Sequence, residues 1–246
     1  MILSALKKFR DHTLFFRYAL HRLFRGNRSY SENGEDLKVQ ELLGKVRWFI
    51  DIGGGSSWRG SNIFYFALRG AQGVCFEPLP EYFVRLRSLY LFNPRVQCRN
   101  CGISDEERDS EFISWGAWSY IPETEDRDHT KLFPGKASAK KALQIKLLRF
   151  ENAIKGIPVP PVVDLLSIDV EGHELNVLRS IPFDRYAFRL IVLETHEQSE
   201  DGKTVWRHRD FDQMFQLLEQ NGYTSVFSNR VNTFFVPSPQ LLNSRS

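Results

Sequence analysis

The chain has little cysteine: Cys75, Cys98 and Cys101 are the three in 246 residues. An odd number in strand-like segments excludes a disulfide scaffold and favours a reducing compartment, so a cytoplasmic location is expected. Cys98-x-x-Cys101 has no second pair to complete a zinc site. No window comes close to ~20 uninterrupted apolar residues, which argues against a membrane span. The N-terminus scatters charges where a leader would carry an apolar block, so no signal peptide is read. Internal repeats and long low-complexity tracts are missing, although KASAKKA (136–142) and the tail after residue 237 read as mobile.

What is present is ordinary for one large α/β domain or two small ones, with 42% apolar and 26% charged residues. The net charge of +3 is unevenly spread. Residues 1–28 hold seven Lys and Arg against Asp11, a balance of +6, and leave the body at −3. Within them Leu6, Phe9, Phe16, Leu20 and Leu23 recur at helical spacing. This describes a basic amphipathic helix that lies on an anionic membrane surface or docks on its own domain; both readings stay open. A net acidic body makes nucleic acid a poor partner.

GNRSYSENGED (26–36) reads as a turn-rich linker. Beyond it strand and helix patterns alternate: strands at 46–52, 73–77, 96–99, 163–169 and 190–194, and helices at 61–69, 81–92 and around 211–220. Two final runs, 223–227 and 233–236, flank SNRVN as a hairpin. Alternation of this kind predicts an α/β Rossmann-like fold, a mainly parallel seven-stranded sheet with a C-terminal antiparallel hairpin. Ligands of such sheets bind outside the carboxyl ends of the strands, so those ends carry the functional question.

The first strand ends in FIDIGGGSSWRGS, where Asp51 precedes Gly53, Gly54 and Gly55. No register of these glycines gives G-x-G-x-x-G, which disfavours a pyrophosphate-binding NAD or FAD site. An acid before a glycine loop suits a ligand with an ammonium group and no phosphate, and S-adenosylmethionine is one; a ligand-free tight turn is the alternative. The second strand ends at Glu77, which either accepts the hydroxyls of a ribose or caps the helix after Pro78. After the third strand, Ser104 and Asp105 are placed to meet an adenine edge or to begin a helix. In DLLSIDVEGHE (164–174) an apolar strand ends in Asp169, Glu171, His173 and Glu174, a costly set if buried.

At these residues the chain resembles the FkbM-type methyltransferases. The matching pieces are SYSENGEDL (29–37), FIDIGGGSSWRGSNIFYF (49–66), GVCFEPLPE (73–81), NCGISDEE (100–107), DLLSIDVEGHELNVLRSI (164–181) and LIVLETHE (190–197). The chain departs from the family at Gly54-Gly55, where Ala-Asn is common, and at Arg149-Phe150, where Leu-Asp is usual. The resemblance implies a methyltransferase domain over 29–237, S-adenosylmethionine as methyl donor, and a hydroxyl of a sugar, glycan or natural product as acceptor. It adds Tyr30, Glu35, Ser61 and Asn62 to Asp51, Gly53, Gly55, Glu77, Ser104 and Asp105 as cofactor-binding residues. An NAD-dependent oxidoreductase and a non-catalytic adenosylmethionine-binding protein are the competing readings.

Methyl transfer to an alcohol needs alignment and removal of a proton. Asp169 and Glu194, at the ends of neighbouring strands, are the expected acceptor-side residues. In one version Asp169, Glu194 and His196 hold a divalent cation, magnesium or manganese, that acidifies the hydroxyl. In the other His173 takes the proton while Asp169 orients it. Glu174 is expected only to begin a helix. Residues 108–142, with Trp115, Trp118, Tyr120, Lys136, Lys140 and Lys141, read as an acceptor lid or as a surface excursion.

Overall fold

The computed structural model describes residues 29–114, 121–122, 141–198, 205–239 and 241. The basic segment 1–28, the aromatic residues Trp115, Trp118 and Tyr120, and Lys136 and Lys140 lie outside the described residues.

Helix α1 (Glu35–Leu43) leads into β1 (Trp48–Ile52), α2 (Phe64–Leu68), β2 (Gln72–Phe76), α3 (Pro80–Leu89) and β3 (Val96–Arg99). Then come β4 (Gly102–Ile103), β5 (Arg108–Ser114), β6 (Lys141–Leu148), α4 (Phe150–Ala153), β7 (Val162–Ile168) and α5 (Glu174–Ser180). The chain continues through β8 (Ala187–Glu194), β9 (His196–Gln198), β10 (Val205–Arg207), α6 (Phe211–Gln220), β11 (Tyr223–Ser228) and β12 (Asn232–Pro237).

The main sheet has seven strands in the order β11-β12-β8-β7-β1-β2-β3, parallel from β8 to β3. The hairpin β11–β12 adds antiparallel strands beyond β8. The strand sequences explain the layering, because successive side chains alternate between two fully covered faces. Ile50, Ile52, Val74, Phe76, Leu166, Ile168, Ile191 and Leu193 pack on one face. Phe49, Cys75, Leu165, Leu190 and Val192 pack on the other. Each such side chain, fully buried, contributes about 1.5–3 kcal/mol of transfer free energy. At the start of β7 the exception, Asp164, is satisfied: it accepts the N–H groups of Arg47 and Trp48 at 2.7 and 3.0 Å and pairs with Arg189 at 3.0 Å.

Three sequence expectations change. Residues 29–36 are not a loose linker. The Tyr30 N–H donates to Asp36 Oδ2 at 2.7 Å, and the Gly60 N–H donates to the Tyr30 carbonyl at 2.7 Å. Tyr30, Glu35 and Asp36 are buried, and α1 starts at Glu35, so this segment is part of the sheet's carboxyl edge. The stretch 108–142 is bounded by β5 and by the start of β6, strands of a second sheet ordered β4-β6-β5. That sheet closes over its own apolar cluster, Leu79, Phe112, Ile121, Ile145 and Leu147. Lys141 thus opens a strand, and in the tail Leu241 packs against the main core.

Candidate active site at the carboxyl edge of the sheet

The β1 and β7 carboxyl ends stay in contact beyond the strands, since the Asp169 N–H donates to the Ile52 carbonyl at 3.0 Å. This leaves no room at the next residue. A Cβ on Gly53, whose φ is 89°, would stand 1.7 Å from the Asp169 carbonyl oxygen. The first glycine of the loop is therefore demanded by the approach of backbone to backbone. At Gly55, with φ 61°, a Cβ would meet nothing within 4 Å, so the loop opens there.

Asp51 sits beneath this loop. Ser167 hydrogen-bonds its carboxylate, and Asn62 Nδ2 donates to Ser167 Oγ at 3.3 Å, which brings the expected Asn62 into the same chain of contacts. Burial, then the charge of Asp169, pushes the Asp51 carboxyl up to about 7. Glu77, just after β2, accepts the Leu79 N–H at 2.8 Å and the Gly55 N–H, so it fixes the turn before α3 and also braces the glycine loop. Burial raises its carboxyl to about 7 against those two donors. Ser61 Oγ accepts the N–H groups of Ile63 and Phe64 at the start of α2, and Tyr30 packs its ring edge-on against Trp58 and Phe64.

Beyond β4, Ser104 and Asp105 turn toward α5. Ser104 Oγ meets His173 Nε2 at 3.1 Å, and Asn176 Nδ2 donates to Asp105 Oδ1 at 2.9 Å. The buried His173 ring is thereby tied to the cofactor side of the edge.

At the ends of β7 and β8, Asp169 and Glu194 are hydrogen-bonded to each other. Asp169 keeps part of its surface open while protein surrounds it. Its carboxyl is pushed up to about 7, first by desolvation and then by the charge of Glu174, with Glu194 opposing and Glu32 and Glu35 adding. Asp169 thus takes up its proton near neutral pH, with the Glu194 hydrogen bond holding the value down.

Glu174 does more than begin a helix. It is fully buried, accepts the N–H groups of Val170 and Gly172, and pairs with His208 Nε2 at 3.0 Å. Burial raises the Glu174 carboxyl, but the hydrogen bond and charge of His208 outweigh it, so the group lies below its ordinary value. The loop it braces reverses through two left-handed residues, Glu171 at φ 55° and Gly172 at φ 104°. His208 also closes the base of the β9–β10 hairpin, its N–H donating to the Thr195 carbonyl at 2.9 Å. Glu35 Oε1 accepts from Asn229 and Asn232 at 2.7 and 3.0 Å, which fastens α1 to the β11–β12 turn.

The cation version of the site finds no support in the geometry. Among the described residues no group of three or more His, Cys, Asp and Glu is placed to hold a metal ion. His196 sets its Nδ1 on Thr195 Oγ1 at 3.0 Å and its ring edge-on against Phe211. Asp169, Glu194 and His196 are therefore not a metal set.

Sequence reasoning missed Ser167 and His208. Ser167 had a signal, a hydroxyl inside an apolar strand. His208 had none, because its partner is buried on another element.

Glycine loop, two strand-end acids and a polar turn around a doubly wound parallel sheet define a nucleoside-binding transferase of the class I methyltransferase type. The carboxyls raised to about 7 fit a ligand that brings positive charge, as the sulfonium and ammonium of S-adenosylmethionine do. A model of the methyltransferase FkbM domain matches residues 51–225, and the chain belongs to that family of S-adenosylmethionine-dependent methyltransferases. Among curated proteins none matches.

Three solved structures illustrate the range of similar folds. Methyltransferase FkbM from Methylobacillus flagellatus is 12% identical, with TM-score 0.47; the match covers 78% of this chain and 43% of that one. The chain thus spans under half the length of this relative. Fibrillarin from Aeropyrum pernix, solved with natively bound S-adenosyl-L-methionine, is 12% identical, with TM-score 0.46 and coverage of 83% and 76%. A TehB-like SAM-dependent methyltransferase from Corynebacterium glutamicum is 10% identical, with TM-score 0.41 and coverage of 93% and 98%.

Proposed function

We propose that the protein O-methylates a hydroxyl of a sugar, glycan, lipid-linked or natural-product acceptor without a metal ion. The observation that carries this reading is the Asp169–Glu194 carboxyl pair, held together at the ends of β7 and β8. S-adenosylmethionine supplies an electrophilic methyl group on a sulfonium. Asp51, Gly53, Gly55, Asn62 and Glu77 would hold it, with Ser104 and Asp105 on the adenine side and Tyr30, Glu35 and Ser61 shaping the rim.

Asp169 takes the proton of the acceptor hydroxyl, and Glu194 shares it through their hydrogen bond. A base whose carboxyl titrates at about 7 suits that step, because it is substantially ionised at neutral pH and still basic enough to receive the proton. Glu174 and His208 keep the loop after Asp169 in place.

Methyl transfer from labelled S-adenosylmethionine to a panel of glycans and hydroxylated small molecules tests the reading. Asp169→Asn is expected to lower turnover about 100-fold to 10,000-fold, the usual worth of a general base. The affinity for S-adenosylmethionine, read by calorimetry, should change little. An equal loss of binding would move Asp169 to the cofactor side, and loss of turnover on adding a chelator would restore the cation.

A further inference from the structure

The opposite edge of the same sheet carries a surface of another kind. Lys45 and Arg47 precede β1, Arg69 precedes β2, and Arg95 precedes β3, three adjacent strands. Their closeness is fixed by the backbone, since the Gln72 N–H donates to the Arg47 carbonyl at 2.8 Å and the Gly73 N–H to the Arg95 carbonyl at 3.0 Å. With Arg87 in the last turn of α3, this makes five exposed cations. Asp164 is paired with Arg189, and Glu41 with Lys38.

On the turn before β3, anchored to the Ala67 carbonyl two residues before Arg69, stand the two most exposed large apolar side chains among the described residues, Leu91 at 58% and Phe92 at 63%. They are displayed on a fixed turn. Buried Asn93 donates from Nδ2 to the Ala67 carbonyl at 3.3 Å and from its N–H to the Tyr90 carbonyl at 2.8 Å. Holding two large apolar groups outward on an edge that carries exposed cations is costly in water and suits an interface with an apolar and an anionic layer.

We propose that this amino edge docks on an anionic lipid bilayer. Leu91 and Phe92 enter the headgroup boundary, and Lys45, Arg47, Arg69, Arg87 and Arg95 face the lipid phosphates and carboxylates. A nucleic acid would satisfy the cations and leave Leu91 against nothing apolar. The contact uses only the folded body and needs nothing from residues 1–28. β1 is five residues long, so its two edges lie about 17 Å apart, and a protein docked this way turns the Asp51, Glu77 and Asp169 edge away from the membrane.

Full-length protein is sedimented with phosphatidylcholine vesicles, with and without phosphatidylserine. Binding is expected only with phosphatidylserine, and it should fall as salt is raised. Each cation removed should weaken partitioning about fivefold, so Arg69→Gln with Arg95→Gln costs about 25-fold. Leu91→Ser with Phe92→Ser should also weaken binding while the salt dependence stays. Arg179→Gln, an exposed arginine at Gln213 on the α5–α6 side, should bind as the unaltered chain does. All variants should bind S-adenosylhomocysteine normally, which certifies their fold. The proposal is overturned if the full chain ignores anionic vesicles, if both double variants bind them undiminished, or if a short RNA is captured and vesicles are not.

Discussion

The carboxyl edge has two halves built by different means. Around β1 and β2 the polar groups come from strand ends and the turns that follow them: Glu77 accepts the N–H two residues on, and Asp51 lies under its own glycine loop. Around β7 and β8 the groups are held across the chain. His173 reaches Ser104 over a separation of 69 residues, Asn176 reaches Asp105 over 71, and Glu35 reaches Asn232 over 197. The β1–β2 half draws more on contacts close in sequence, with Asn62 to Ser167 as its long-range link, and the β7–β8 half is assembled from distant segments. Changes at Glu77 are expected to affect binding more than the fold, whereas changes to the buried braces Glu174 and His208 are expected to cost stability.

The largest expected effect tests that division directly. Glu174→Ala or His208→Ala leaves one buried charge without its partner, a loss on the order of 3–5 kcal/mol. In thermal unfolding each variant should melt far below the parent. The double variant should recover part of the loss, because it removes both charges from the core. If Glu174→Ala melts within a degree or two of the parent, the β7–β8 half does not depend on its long-range braces.

The same division explains what could be read in advance. The main parallel sheet, its hairpin and every strand of the β1–β2 half follow from alternating patterns and turn residues within a few positions of each other. The positions of Asp51, Glu77 and the glycine loop at the carboxyl edge were legible because each follows directly from the end of its own strand. The brace role of Glu174 was not, since in sequence it is only an acid at a helix start and its partner His208 lies beyond β10. The segment 29–36 failed similarly: Ser, Asn and Gly read as a turn, and only the folded chain places Asp36 under Tyr30 and Glu35 under Asn229 and Asn232. The expected cation set finds no support, because three plausible ligand types after β7, on β8 and on β9 say nothing about where their side chains converge.

A smaller effect is expected on the β1–β2 half. Glu77→Ala removes a charged acceptor from the Gly55 and Leu79 N–H groups and from the ligand, worth about 1.5–3 kcal/mol. S-adenosylmethionine should bind about tenfold to a hundredfold more weakly by calorimetry, with the melting temperature lowered less than in Glu174→Ala. A variant that melts as early as Glu174→Ala would erase the contrast between the halves.

The smallest effect is on pH dependence, where the site carboxyls and the brace carboxyl should oppose each other. Asp51, Glu77 and Asp169 have folded values of about 7, above their unfolded ones, so the folded chain binds more protons than the unfolded chain. Their contribution is fully present below the ordinary carboxylate range and is lost as pH rises through about 7. Glu174 is depressed, so its contribution is present above that range and is lost as pH falls through its folded value. The ligand-free protein should therefore melt higher at about pH 6 than at about pH 8, by roughly 2–4 °C for each kcal/mol involved, before acid destabilises the brace. Asp51→Asn should flatten the slope on the neutral side and leave the acid side unchanged; Glu174→Gln should do the reverse. A parent protein whose melting temperature climbs steadily from about pH 6 to about pH 8 would mean that the three site carboxyls are ionised without cost, and the need for a cationic ligand would go with them.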